Sequence, residues 1–155
     1  MVKAEVLKKL YLFKDLTDGE LETVTGAAEI KKCNPGDEIT SQGESAKSLF
    51  LVEYGSIKIH ITEDNGETVE IARLGSGSHF GEMPFLDGEP RSASATAIEP
   101  SEIIVVDYDK LSQIMAEHQG IAVHFYRQFA HFLCGRLRLT TKDMAFARSQ
   151  VVSHF

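Results

Sequence analysis

Hydrophobic and polar positions change period twice along this chain, from helical to alternating at about Glu29 and back to helical after Asp109. That order predicts helices, then strands, then helices. Residues 4–12 (AEVLKKLYL) put Val6, Leu7, Leu10 and Tyr11 on one stripe of a short helix. Thr17 and Glu20 then have the spacing of a capping box, with Leu16 and Leu21 placed as the hydrophobic staple outside it. A second helix is therefore expected from about Asp18 to Thr25, where Gly26 weakens it, and residues 1–28 read as an N-terminal helical segment.

Between residues 29 and 108, turn signals punctuate short apolar runs. Asn34-Pro35-Gly36-Asp37 has the composition of a turn, Gly43 and Gly55 precede or break strands, and Asp64-Asn65-Gly66 is a hairpin signal. In GSIKIHITE, Ile57, Ile59 and Ile61 fall on one side and Lys58, His60 and Thr62 on the other, the mark of a strand wet on one face only. Further strands are expected at 48–54, 67–73, 92–98 and 102–107. The spacing leaves no room for helical crossovers, so the fold class is mainly β with flanking α, an antiparallel roll or sandwich.

From Asp109 onward the pattern is helical to the end of the chain. Asp109 is placed to cap a short helix containing Leu111, Ile114 and Met115 that ends near Gly120. Phe125, Phe129, Phe132, Leu133, Leu137, Met144 and Ala147 then form the stripe of a long helix over about 121–147. Either the whole stripe packs on the strands, or part of it faces a second copy of the chain, because a helix of that length reaches about 40 Å and outruns a small domain. Gly135, in its middle, costs roughly 1 kcal/mol of helix propensity and permits close approach by a partner helix or a ligand.

Charge and composition narrow the function. The 155 residues carry 23 acids against 16 bases, a net charge of −7, with no long basic tract, so nucleic acid is not an expected partner. The N-terminus lacks the apolar core and cleavage site of a signal peptide, and no apolar run approaches the roughly 18 residues of a membrane span. A cytoplasmic location without membrane insertion is expected, with Cys33 and Cys134 as reduced thiols. His60, His79, His118, His124, His131 and His154 match no metal-ligand spacing, and no nucleophile elbow or P-loop occurs. Neither metal nor enzymatic activity is expected.

Candidate chemistry concentrates in residues 80–93, FGEMPFLDGEPRSA. A carboxylate, Glu82, and the one guanidinium of the segment, Arg91, stand nine residues apart, bracketed by Gly81, Gly88 and Pro90. Met83, Phe85 and Leu86 between them can form a short apolar turn packed on the core. Arg91 and Ser92 offer a fork of N–H donors and a hydroxyl to a phosphodiester anion, the Gly81 segment can add backbone N–H groups, and Glu82 can accept from a sugar hydroxyl. The competing reading is a surface loop in which Glu82 and Arg91 form a weak salt bridge.

Residues Gly81 to Ala93 closely resemble the phosphate-binding cassette of the cyclic-nucleotide-binding domain family, the sensor module of bacterial catabolite activators, kinase regulatory subunits and nucleotide-gated channels. The glycine pattern Gly36, Gly43-Glu44, Gly55 and Gly75 extends the resemblance to roughly residues 10–147. It implies a jelly-roll-like β-roll over 29–108 (a double-stranded β-helix) with the cassette at 80–93, C-terminal helices over 109–155, and one non-catalytic domain throughout. It also implies that Arg91 clamps the exocyclic phosphate oxygens, Glu82 holds the ribose 2′-hydroxyl, Ser92 donates to the phosphate, and the amides of Gly81 and Glu82 complete a cradle flanked by Met83 and Ala93. Pro84 departs from the small residue common at that position and removes one N–H donor.

Residues Arg136 to Met144 bear a weaker resemblance to the long helix of the catabolite activator type. On that match Thr140 reaches the base in its own pocket and Thr141 reaches across a homodimer formed through the C-terminal helix. The implied ligand is cyclic AMP, with cyclic GMP as the alternative, and the implied role is a stand-alone sensor, lacking a DNA-reading domain, that acts on an unidentified protein partner. A module that keeps the fold but binds another small anion, or none, is the competing function.

Overall fold

A computed structural model describes residues 1–152; residues 153–155, His154 among them, lie outside the described residues. Helix α1 covers Ala4–Lys8 and is followed by a 3₁₀ turn at Tyr11–Phe13. The continuous helix expected over 4–12 stops early because Leu10 turns to extended backbone (φ −95°, ψ 132°). Leu12 and Phe13, in the 3₁₀ turn that follows, are both buried. Helix α2 spans Asp18–Val24 with the expected capping box: Glu20 N donates to Thr17 Oγ1 at 3.2 Å, and Thr17 N donates to Glu20 Oε1 at 2.9 Å. Leu16 and Leu21 are both buried beside it.

Eight strands follow: β1 Ala28–Cys33, β2 Glu38–Thr40, β3 Ser48–Tyr54, β4 Ile57–Thr62, β5 Thr68–Leu74, β6 His79–Phe80, β7 Ser94–Ala97 and β8 Ser101–Asp107. They form two four-stranded sheets, ordered β1-β8-β3-β6 and β2-β7-β4-β5, with every pairing antiparallel. This is the mainly β architecture with flanking helices that the alternating runs predict. The β1–β2 turn is closed by Asp37 N donating to Asn34 O at 3.0 Å and Asn34 N donating to Asp37 Oδ2 at 2.8 Å. At the β4–β5 hairpin, Gly66 takes the left-handed conformation that its turn requires (φ +86°).

Strand β3 explains how the molecule is layered. Leu49, Phe50, Leu51 and Val52 are all buried, because the strand has a core on each face. Leu49 and Leu51 join Ile104, Val106 and the helices in one cluster, while Phe50 and Val52 join Ile57, Phe80, Ala95, Ala97 and Ile103 between the sheets. Strand β4 departs from the expected alternation. Ile57 is buried, but Ile59 and Ile61 are only half-buried, and opposite Ile59/His60 the partner strand β5 bulges with one extra residue, Ile71, which shifts the register.

Helix α4 covers Tyr108–Glu117, and its cap is Asp107 rather than Asp109: the Asp107 carboxylate accepts from Lys110 N at 2.9 Å. β8 pairs as far as Asp107, so the helix can start one residue later and Asp109 falls in its first turn. Helix α5 runs over Gln119–Val152, longer at both ends than the expected 121–147. The break lies at His118 (φ −130°, ψ 85°), and Gly120 lies inside the first turn of α5. A Cβ on Gly120 would come within 3.1 Å of Glu20 Oε2, so this glycine allows close packing on α2 rather than ending a helix. At the other end Met144, Ala145, Ala147 and Arg148 are good helix formers with no glycine or proline to stop them. Along α5, Ile121, Phe125 and Phe129 are buried, Phe132 and Leu133 half-buried, and residues 134–149 exposed.

Both cysteines are free, Cys33 buried and Cys134 exposed, and burial pushes the Cys33 thiol up. Among the described residues no helix is long and apolar enough to cross a membrane.

Candidate functional site

Strand β6 delivers the chain into a tight turn that only glycine can make. Gly81 has φ +76°, and a Cβ there would lie 2.6 Å from Arg91 Nη1 and 3.1 Å from the Phe50 ring. Its carbonyl accepts from Arg91 Nη1 at 3.1 Å and from the Tyr108 hydroxyl. Burial raises the Tyr108 pKa, so the phenol keeps its proton and stays a donor across neutral pH. Because the peptide is trans, holding the Gly81 carbonyl against these donors turns the Glu82 N–H the opposite way. Helix α3, Met83–Asp87, follows with Glu82 as its N-cap residue, Pro84 in its first turn and Gly88 closing it in the left-handed conformation (φ 70°). Pro84 removes an N–H that a first turn leaves without an intrahelical partner in any case, so the turn accommodates it. Of the apolar residues of α3, Phe85 packs on the core, while Met83 and Leu86 are exposed; the expected turn with all three packed is replaced by a single anchor.

Arg91 reaches this turn from the segment before β7. Its backbone is fixed by the Gly43–Glu44 turn, with Arg91 N donating to Glu44 O at 2.9 Å and Gly43 N donating to Arg91 O at 2.8 Å. Its guanidinium lies 5.3 Å over the Phe50 ring and gives Nη2 to Ser48 O at 2.7 Å, while Nε has no partner among the described residues. Arg91 is 7% exposed and Glu82 2%. Both line one cavity of about 630 Å³, a volume suited to a small organic ligand. Among the described residues the two are not an ion pair with each other. The surface salt bridge that competed for this segment is therefore not what forms. Two buried opposite charges that share a cavity without pairing carry a desolvation cost that a ligand with an anionic end and a hydroxylated end can offset.

Residues 30–118, more than half of the chain, match the cyclic nucleotide-binding domain family. The chain belongs to this family. The domain is 32% identical over 93 residues to the cAMP-dependent protein kinase type II regulatory subunit of Drosophila melanogaster, covering 60% of this chain and 24% of the subunit. Its fold resembles the crystal structure of a cyclic nucleotide-binding domain from Methylobacillus flagellatus KT, with TM-score 0.79 and 25% identity, covering 91% of this chain and 79% of that one. The Thermus thermophilus catabolite activator protein is similar at TM-score 0.77 and 27% identity, covering 88% of this chain and 62% of that one. The chain spans less than a third of the length of the curated relatives it matches.

Six of the expected site residues meet at the cavity of this domain: Gly81, Glu82, Met83, Arg91, Ser92 and Ala93. Thr140 and Thr141 do not join them within one chain. They lie on the exposed half of α5, where Thr141 Oγ1 donates to Leu137 O at 2.8 Å. From α5 the wall is formed instead by Phe132 and Arg136, with the Arg136 guanidinium 5.7 Å from the Phe132 ring, and Tyr11 adds a second aromatic ring. Phe132 and Arg136 are four residues apart and so share a helix face, a spacing visible in the sequence. His79 was also missed as a site residue. As an isolated histidine it offered no ligand spacing; it stands three residues before Glu82, and the fold turns the two side chains toward each other. Among the described residues no group of three or more His, Cys, Asp or Glu side chains is arranged to hold a metal ion.

Proposed function

We propose that this domain is a non-catalytic sensor of a purine 3′,5′-cyclic mononucleotide, cyclic AMP in preference to cyclic GMP. The observation that carries the reading is the pair of buried, mutually unpaired charges, Arg91 and Glu82, on one cavity. Arg91 takes the phosphate, Glu82 the ribose hydroxyl, and the Glu82 and Met83 amides at the start of α3 add donors to the phosphate. Ser92, exposed at the cavity rim, supplies a hydroxyl. The preference for cyclic AMP is supported by the Drosophila relative, whose name describes a cAMP-dependent kinase subunit. Titration with each nucleotide, followed by calorimetry and thermal melting, tests the proposal. At a hundredfold excess over Kd, cyclic AMP is expected to add about 2.7 kcal/mol of stability and raise the melting temperature by roughly 5–10 °C. No heat and no shift with either nucleotide at millimolar concentration would leave the competing reading, an interaction module that binds another anion or none.

We further propose that two copies pair through the exposed half of α5, which transmits occupancy to a protein partner. Leu137, Met144 and Phe146 are 68%, 52% and 66% exposed, and a Cβ on Gly135 meets nothing within 4 Å among the described residues. Leu137, Thr141 and Met144 follow the i, i+4, i+7 spacing of one face, which carries Thr141 toward a partner's cavity. Light scattering at tens of micromolar is expected to give twice the chain mass of 17.2 kDa, falling to that mass in the double variant Leu137→Asp/Met144→Asp. A wild-type monomer with and without nucleotide would remove the dimer and the cross-subunit role of Thr141 together.

A further inference from the structure

Beside the Glu82 carboxylate lies a buried group that the phosphate clamp does not use. His79, on β6, directs Nδ1 at Glu82 Oε2 from 3.4 Å, and each side chain is 3% exposed. Among the described residues neither atom has a hydrogen-bond partner, and neither has His79 Nε2. The alignment falls short of a hydrogen bond at this separation, and a modest rotation of the ring would complete it. The imidazole also packs on Phe132 of α5, with ring centroids 4.2 Å apart. Other charged or titratable groups approach from every neighbouring element: Arg91 from the segment before β7, Arg136 from α5 and Tyr11 from the N-terminal turn line the same cavity, and Tyr108 of α4 bonds the Gly81 carbonyl. Among the described residues Glu82 is the one acid in the cavity wall. A proton on His79 therefore has a single anion facing it.

We infer that His79 is a positioning residue for Glu82: a proton on Nδ1 fixes the carboxylate through Oε2 and leaves Oε1 to the ribose 2′-hydroxyl, so that His79 sets the preference for ribo over 2′-deoxyribo ligands. The inference rests on the cyclic-nucleotide reading and adds a residue to its sugar subsite. As the imidazolium, the ring always carries a proton on Nδ1 and makes a charge-assisted contact; as neutral imidazole it does so in one tautomer only and without the charge. The preference should therefore be greatest at acid pH and decline as pH rises.

The test compares cyclic AMP with 2′-deoxy cyclic AMP by calorimetry on the full chain between about pH 5 and pH 8. In the wild type the ratio of the two affinities should fall by about tenfold from the acid to the alkaline end, the scale of one charge-assisted hydrogen bond. His79→Phe keeps a ring against Phe132 and should give a low, pH-independent ratio, with the loss falling on cyclic AMP rather than on the deoxy analogue. His79→Asn, whose amide donates at every pH, should restore a preference that no longer varies with pH. A flat wild-type ratio overturns the inference, as does His79→Phe weakening both ligands equally, which is the result of a packing role. If His79→Phe fails to fold, the wild-type profile and His79→Asn decide. Failure of the wild type to bind either nucleotide strikes instead at the function itself, whereas binding with a flat ratio removes only the role of His79.

Discussion

Arg91→Ala is expected to weaken cyclic-nucleotide binding by roughly 30-fold to several-thousand-fold, the range set by removing one partner of a buried, hydrogen-bonded charge pair. The phosphate would enter a cavity whose wall keeps the Glu82 carboxylate but has lost the guanidinium on which it is clamped. Loss of the turn itself is a competing cause, and Tyr108 separates the two. Its hydroxyl also bonds the Gly81 carbonyl, so the cassette backbone keeps one of its two side-chain donors. The free protein should therefore lose little stability, because the arginine gives up hydrogen bonds to Gly81 and Ser48 while a buried charge with an unpartnered Nε is also removed. Arg91→Lys should fall between wild type and Ala, since it keeps the charge and loses the planar fork. Calorimetric affinities with paired urea melts check this, and near wild-type affinity in Arg91→Ala would refute the phosphate clamp.

Gly55→Ala should be the most damaging single substitution for the fold. Gly55 turns the chain between β3 and β4 with φ +101°, a conformation costly for any residue with a Cβ. The added carbon would lie 2.1 Å from Ser101 Oγ and 2.6 Å from Ser101 Cα. Ser101 cannot retreat. Its backbone is paired with Cys33 of β1, and its hydroxyl accepts from Ser56 N at 3.1 Å and donates to Glu99 O at 2.8 Å. Strain and overpacking together suggest a loss of roughly 3–5 kcal/mol, read as a fall in the urea midpoint with an unchanged slope. Adding Ser101→Gly should recover part of the loss, because it removes the side-chain clash but neither the backbone contact nor the positive φ. A loss below about 1 kcal/mol would mean that the turn adjusts freely.

Strand β3 was legible to the residue, since its apolar run is too short for a helix and lies between the turn signals Gly43 and Gly55. Strand β4 was placed correctly but its faces were not, because a bulge is a property of the paired strands and β4 alone carries no sign of it. Helix ends behaved in the same way. The Thr17 box is read from two side chains three residues apart, whereas the choice of Asp107 over Asp109 depends on how far β8 stays paired. In the site, Gly81, Glu82, Arg91 and Ser92 stood together in one segment and could be found there. His79, Phe132, Arg136 and Tyr11 come from β6, α5 and the N-terminal turn, and nothing short of the fold shows that they face the same cavity.

Sequence alone determined the order of elements, the turn-forming glycines and the identity of the two opposite charges, because each depends on neighbours within a few residues. Tertiary structure decided that those charges are buried on one cavity without pairing, that His79 stands behind Glu82, and that the stripe of α5 divides into a packed half and an exposed half. These are facts about distance and solvent exclusion in three dimensions, and local periodicity carries no information about them.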